Sequence, residues 1–101
     1  MKFSGQQVAA ARELLGITQS ELATAAGLTL LTISRFERGE VGPRRDTVRK
    51  IGDELQRRGI EFTNGEGMGV RLHYAKAAEY ARASEKTRKE ADNKPEASTE
   101  S

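Results

Sequence analysis

The segment from Thr18 to Gly39 constrains the fold most, because it contains the signals for two short helices and for the turn between them. Thr18 and Glu21 form a capping box, in which the hydroxyl and the carboxylate each accept a hydrogen bond from a backbone amide of the first turn. Thr29 stands where the second helix needs its own cap. Gly27 can adopt positive φ at little cost and favours a sharp turn between the helices.

The apolar residues of this segment fall on one face of each predicted helix. Leu22, Ala23 and Ala26 share a face of the first helix, and Ile33 shares a face of the second with Phe36. Small residues on these inner faces allow the two helices to cross closely. This arrangement is typical of the helix-turn-helix motif, whose second helix can lie in a DNA major groove.

Composition limits what else the chain can contain. With 101 residues, of which 36% are hydrophobic, it is expected to form one small domain. Neither a long apolar run nor a charged and then apolar amino terminus is present, so we expect a cytoplasmic protein that does not enter membranes. Before residue 60 there are ten Lys and Arg against seven Asp and Glu, a mild excess that favours a nucleic-acid partner.

Helical spacing predicts one further helix on each side of the central pair. The first, Gly5 to Leu15, follows a capping box formed by Ser4 and Gln7. The last, about Arg44 to Arg58, follows Pro43, which is suited to starting a helix. The predicted fold class is therefore mainly α, with about four helices in a domain over residues 1–59.

A β-hairpin is predicted over residues 60–73, where apolar and polar residues alternate on both sides of a glycine-rich turn. A lone hairpin is marginally stable in water, so its apolar side chains should pack on the helices or pair with a second subunit. We expect this hairpin to be a dimer contact.

The sequence of residues 74–101 predicts a charged tail. Its first part is expected to form a helix, and the end of the tail is expected to be disordered from residue 91. The helix would carry only a thin apolar stripe, formed by Tyr74, Ala77, Ala78 and Ala81.

Several stretches together carry a family resemblance: Arg12-Glu-Leu-Leu-Gly-Ile-Thr-Gln-Ser-Glu-Leu-Ala, then Gly27, then Ile33-Ser-Arg-Phe-Glu-Arg-Gly-Glu. Through them, residues 6–58 resemble the phage-repressor or XRE helix-turn-helix family, which has a lambda-repressor-like fold. Residues 60–62 and 69–72 are similar to two strands at the carboxy-terminal end of short bacterial regulators of that family. The resemblance implies a bacterial or phage transcriptional regulator that binds double-stranded DNA, with a lambda-repressor-like bundle, a carboxy-terminal hairpin and a partly disordered tail.

The same resemblance implies roles for individual residues. Gln19 would bind a phosphate and support the recognition helix, and Thr29 would join the DNA contacts at the start of that helix. Arg12 and Glu37 would form a partly buried ion pair between helix 1 and the end of helix 3. The residues that would face base edges are Leu30, Leu31, Thr32 and Arg35. The residues that would contact backbone phosphates are Arg38, Arg44 and Arg45.

The chain departs from many relatives at Leu30 and Leu31, where those proteins carry polar side chains. Leucine can contact a thymine methyl group but cannot make a bidentate hydrogen bond to a base. Base recognition would then depend on Arg35 and Thr32, or this surface would serve a protein partner. Three functions remain open: a repressor that binds a two-fold symmetric operator as a homodimer, an antiactivator or co-regulator that binds another regulator, and an antitoxin that wraps a toxin with its tail.

The residue types needed for catalysis do not form a recognisable pattern. The glycine run of residues 65–69 lacks the spacing of a phosphate-binding loop. His73 is the only histidine and there is no cysteine, so one chain cannot assemble a typical zinc site or a nucleophile activated by histidine. Glu37 and Glu40 lie among arginines, which disfavour a raised carboxyl pKa. We therefore predict no enzyme activity, no cofactor and no metal.

Overall fold

The computed structural model describes residues 2–40 and 44–92, with side chains as far as residue 87. In order, its elements are α1 (Gly5–Leu15), α2 (Gln19–Ala26), α3 (Leu30–Glu37), α4 (Arg45–Arg57), β1 (Ile60–Thr63), β2 (Gly69–Leu72) and α5 (Tyr74–Asp92). The predicted mainly α fold with a carboxy-terminal hairpin is confirmed. Helix 4, predicted from about Arg44, begins at Arg45, and the Pro43 thought to favour its start lies outside the described residues.

The first three helices begin at the cap residues that the sequence predicts. Ser4 and Thr18 each form a complete capping box, and Thr29 Oγ1 accepts a hydrogen bond from the third residue of α3. Gly16 and Gly27 end α1 and α2 with φ angles of 70° and 72°, values that favour glycine. Local side-chain chemistry therefore determines where α2 ends and α3 begins, and hence the geometry of the turn.

The core lies between one apolar face of each of the first four helices. Its buried hydrophobic side chains are Val8, Ala11, Leu22, Ala23, Ile33, Phe36, Ile51, Leu55 and Ile60. The last of these is the first residue of β1 and is 3% exposed. The start of the hairpin is thus part of the helical core.

The hairpin packs on the helices of its own chain, which is one of the two arrangements that the sequence left open. Its strands are antiparallel, with Phe62 opposite Val70. The Phe62 ring stacks on Phe3 with 4.5 Å between ring centroids, and Phe3 also contacts Phe36 of α3 at 5.7 Å. These aromatic contacts bury the apolar face of the hairpin against the amino-terminal segment and α3.

Gln7 connects α1 to both strands of the hairpin. Its side chain is almost fully buried, and Oε1 accepts a hydrogen bond from the Ser4 amide at 2.8 Å. Nε2 donates to the carbonyl oxygens of Thr63 at 3.1 Å and Gly69 at 2.8 Å, residues that face each other across the strands. Every hydrogen-bonding group of this buried amide therefore has a partner. The predicted helix-capping residue also holds the hairpin in place.

α5 contacts the bundle at the carboxy-terminal end of α4. The His73 amide donates to the Gly59 carbonyl at 2.8 Å, and a Cβ on Gly59 would lie 3.0 Å from the Ala77 nitrogen. One turn further along, the Tyr80 ring lies 4.8 Å from the Arg58 guanidinium carbon, a cation–π contact. The glycine allows the close approach, and the aromatic contact attaches the next turn.

Of the four residues in the thin apolar stripe of α5, only Ala77 is half-buried. Tyr74 is 83% exposed, and Ala78 and Ala81 are also exposed. Among residues 74–87 of this helix, the half-buried ones are Ala77 and Tyr80. Because an alanine-rich helix carries little apolar contrast, its sequence does not identify the face that packs. α5 also continues to residue 92, past the predicted start of disorder at residue 91. Residues 93–101 lie outside the described part.

Candidate nucleic-acid interface

α3 has one side in the core and the other in solvent. Ile33 and Phe36 are buried, whereas Leu30 and Leu31 are 50% and 54% exposed and the Arg35 side chain is 60% exposed. We define the outer face of α3 as the surface formed by Leu30, Leu31, Thr32 and Arg35. It presents apolar groups near the start of the helix and a cation near its end, and both are chemical groups that can contact base edges.

Two hydroxyl groups define the start of this face. Thr29 Oγ1 accepts a hydrogen bond from the Thr32 amide at 3.2 Å and lies 2.8 Å from Thr32 Oγ1. A hydroxyl group can donate one hydrogen bond and accept two, so this pair retains capacity for a base or a phosphate. The same residues therefore cap α3 and remain available at its exposed end.

A buried ion pair joins α1 to the end of α3. Arg12 Nε donates to Glu37 Oε2 at 2.6 Å, Arg12 Nη2 donates to Oε1 at 2.9 Å, and the two side chains are only 18% and 7% exposed. The hydrogen bond from Arg12 to Glu37 raises the pKa of the guanidinium group. Gln19 Nε2 donates a third hydrogen bond to the Glu37 carboxylate, to its Oε1 at 2.9 Å. Arg12 Nη1 donates to the Ile17 carbonyl. This Glu37 network, formed by Arg12, Gln19 and Glu37, fixes α3 relative to α1 and α2.

Gly5 allows α1 to approach the end of α3 backbone to backbone. A Cβ at this position would overlap the Phe36 carbonyl oxygen and lie 2.8 Å from both Cα and the carbonyl oxygen of Glu37. Sequence analysis missed this role, because a glycine at the start of a helix carries no local signal that a second helix lies against it. The position of Glu37 therefore depends on a missing side chain in α1.

Glu40 bridges two arginines just beyond α3. Its Oε2 lies 2.7 Å from Arg38 Nε, and its Oε1 lies 3.9 Å from Arg35 Nε. Arg38 Nη1 also donates to Ser34 Oγ at 2.6 Å. The hydrogen bond from Arg38 lowers the pKa of the Glu40 carboxyl group, so this carboxylate is charged at neutral pH. Two arginines that the resemblance assigns to DNA thus face an anion of their own chain.

Arg44 and Arg45 lie at the start of α4, the first as its cap residue and the second as its first helical residue. Both are exposed. Neither forms a salt bridge with any side chain in residues 2–40 or 44–87. Arg44 and Arg45 therefore differ from Arg35 and Arg38, each of which lies within salt-bridge distance of Glu40.

Membrane-spanning helices and metal clusters are both absent from the described residues. Within residues 2–40 and 44–92, none of the helices combines the length and the apolar character needed to cross a bilayer. The described side chains also do not bring three or more His, Cys, Asp or Glu residues together as a candidate metal site.

A protein-family model described as helix-turn-helix matches residues 8–62, more than half of the chain. The match begins within α1 and ends within β1, so it includes the turn between α2 and α3 and all of α4. The fold and its exposed helix are those of a DNA-binding protein, and the chain belongs to the XRE-type helix-turn-helix family of transcriptional regulators. This is a regulatory family and not a family of enzymes. A search of curated proteins found no match.

Proposed function

We propose that the chain is a repressor that binds a two-fold symmetric operator as a homodimer and reads bases with α3. The observation that carries this proposal is the outer face of α3, which is exposed while the opposite side of the same helix is buried. A helix in this position of the motif can enter the major groove with its exposed side chains toward the bases. Selection of bound sequences from random duplex DNA tests the proposal, and a palindromic consensus is expected.

Within this face, Arg35 is the best candidate for direct base recognition. Its guanidinium group can bind both O6 and N7 of guanine, the commonest specific contact in the major groove. Leu30 and Leu31 suit thymine methyl groups, and the Thr32 hydroxyl suits either a base or a phosphate. The preferred site is therefore expected to combine a guanine with neighbouring thymines in each half.

The phosphate contacts are proposed on both sides of α3. Arg44 and Arg45 provide exposed cations at the start of α4, and Gln19 and Thr29 provide polar groups at the starts of α2 and α3. Such contacts fix the orientation of a protein on DNA without carrying sequence information. The Glu37 network supports this geometry before DNA arrives, so little conformational freedom remains to be lost on binding.

Removing an arginine from α3 is expected to affect DNA binding differently from removing one at the start of α4. Arg35→Ala should weaken binding to the preferred site by about 1–3 kcal/mol and relax the preference at one base pair, because the lost contact depends on that base. Arg44→Ala should weaken binding to all duplexes, and the slope of log affinity against log salt should fall by about one unit. Fluorescence anisotropy with preferred and scrambled duplexes at several salt concentrations measures both effects.

The control for these variants is Arg82→Ala, which removes the same charge from an exposed position on α5. It should change neither the base preference nor the salt slope. If Arg35→Ala and Arg44→Ala weaken all duplexes to the same extent, α3 does not read bases and the proposal is wrong in its central point.

The homodimer is proposed because a palindromic operator requires two reading helices related by a two-fold axis. The hairpin is the proposed contact, since each of its two strands has an outer edge that can pair with another strand. Deleting residues after Gly59 would not test this, because Ile60 and Phe62 pack with the helices and the shortened chain would lose core contacts.

A single introduced cysteine tests the hairpin contact, because the chain contains no cysteine of its own. Arg71→Cys places a thiol in the middle of β2, where the native side chain is 64% exposed. We expect mild oxidation to give a disulfide-linked dimer on non-reducing gels, faster than for the control Lys86→Cys on α5. If sedimentation shows a dimer but the two cysteine variants cross-link equally slowly, the dimer interface lies elsewhere.

A second function is favoured by Leu30 and Leu31, two adjacent leucines that are each about half exposed. As an antiactivator, the chain would use them to bind another regulator, since apolar side chains near the centre of an interface carry much of its binding energy. Replacing both by serine separates the two functions. Loss of a protein partner with unchanged DNA binding would support the antiactivator, whereas loss of affinity for thymine-containing sites supports the repressor.

A further inference from the structure

We infer that Glu40 is a specificity-determining residue, which reduces binding to non-preferred DNA by holding the guanidinium groups of Arg38 and Arg35. This inference rests on the proposed function, in which α3 reads DNA. It concerns a residue that makes no proposed contact with a base and whose charge is opposite to that of a typical DNA-binding residue. Its effect would arise from competition within the protein.

The geometry places both arginines under the influence of one carboxylate. Arg38 is held from two sides, by Glu40 Oε2 at 2.7 Å and by Ser34 Oγ at 2.6 Å. Arg35 lies 3.9 Å from the other oxygen of the same carboxylate. All three charged side chains are about half exposed, so they lie on the solvent side of the fold where DNA would approach. Glu40 would thus compete with a phosphate for the same two guanidinium groups.

An exposed ion pair of this kind is weak, and this weakness is what makes discrimination possible. A bidentate contact between Arg35 and guanine can replace the longer contact to Glu40. On other sequences only phosphate contacts are available, and an arginine that remains paired releases fewer counterions from the DNA. The carboxylate also repels phosphates that lie within the screening length of about 10 Å at 0.1 M salt. The repulsion acts on every duplex, whereas the retained pairing of the arginine weakens mainly the non-preferred ones, so preferred binding is weakened less.

The arginines of α4 show that this arrangement is local. Arg44 and Arg45 are exposed and have no salt bridge within the described residues. General attraction to the phosphate backbone can therefore come from the start of α4. The end of α3 contributes fully only when its own anion is displaced. The cations at the start of α4 thus contribute general affinity for DNA, and those at the end of α3 contribute selectivity.

Glu40→Gln tests the inference, because it removes the charge and keeps the size of the side chain. We expect affinity for a scrambled duplex to rise about tenfold at low salt, with a salt slope steeper by about one unit. Affinity for the preferred duplex should rise less, so the ratio between the two falls. Glu79→Gln is the matched control, since it removes the same charge from an exposed position on α5 and should change the ratio little.

The double variant Arg38→Ala/Glu40→Gln identifies the cation through which Glu40 acts. If Glu40 acts by holding Arg38, most of the gain for the scrambled duplex should disappear when Arg38 is absent. Thermal melts of all variants should coincide with the wild type within a few degrees, because the exposed pair contributes little to folding. The comparison therefore concerns binding and not unfolding.

Each other outcome contradicts the inference. Unchanged or weaker binding by Glu40→Gln would show that Glu40 is neutral or positions Arg38 for DNA, and an equal gain for Glu79→Gln would show a general charge effect. These results leave the proposed function intact if the wild type still prefers its selected sequence. A wild type without any sequence preference would overturn the proposed function, and the inference would fall with it.

Discussion

Glu37→Ala is expected to lower the free energy of unfolding by about 3 kcal/mol, because it leaves a largely buried guanidinium group without an anionic partner. Glu37 accepts hydrogen bonds from Arg12 and Gln19, and all three groups lie where α1, α2 and α3 meet. Urea denaturation followed by circular dichroism at 222 nm measures the effect, with all variants compared in the same oligomeric state. DNA binding should weaken as well, since the same network orients α3.

Two further variants separate the buried pair from an ordinary surface charge. Glu40→Gln removes an exposed carboxylate at the same end of α3 and should leave the urea midpoint close to that of the wild type. Arg12→Met combined with Glu37→Ala removes both charges and should be more stable than Glu37→Ala alone, because no unpaired charge stays buried. A Glu37→Ala midpoint equal to that of the wild type would mean that the pair is solvated in solution.

Gly5→Ala is expected to be nearly as destabilising, by about 3 kcal/mol, at the upper end of the usual cost of overpacking. The added methyl group would overlap the Phe36 carbonyl oxygen and crowd the Glu37 backbone, and neither atom belongs to a flexible side chain. Replacing glycine by alanine within a helix normally stabilises it by less than about 1 kcal/mol, so the steric effect should dominate the sign.

The control for this variant is Gly65→Ala in the hairpin turn, where a Cβ would meet no other atom within 4 Å. Its stability should remain within about 0.5 kcal/mol of the wild type. Equal urea midpoints for the Gly5 and Gly65 variants would show that α1 and α3 can move apart at little cost. In that case the backbone contact does not position Glu37.

Local signals were sufficient to predict most of the helical fold. The capping boxes at Ser4 and Thr18 and the glycines after α1 and α2 each act through hydrogen bonds or φ values within a few residues, so they can be read from the sequence directly. The start of α3 at Thr29 follows for the same reason. The positions of the outer face follow in turn, because once a helix is placed its period determines which side chains are exposed.

Contacts between distant residues could not be predicted in the same way. Gly5 against α3, Gln7 against the hairpin and Tyr80 against Arg58 each join segments whose relative positions are set by the whole core. The pairing of Glu40 with the arginines was also missed, although all these residues are close in sequence. Sequence analysis placed Glu40 among arginines but did not identify the two that it pairs with, because this depends on side-chain geometry at the end of a helix.

The buried amide of Gln7 also has a consequence for the order of events during synthesis. Its partner Gly69 lies 62 residues further along the chain. At translation rates of about 5–20 residues per second, roughly 3–12 s pass between the synthesis of these two residues. During that interval Nε2 of this amide can be satisfied only by water or by temporary partners, so α1 reaches its final buried environment only after β2 has been synthesised. The amino-terminal helix is made first but is completed among the last, when the hairpin arrives.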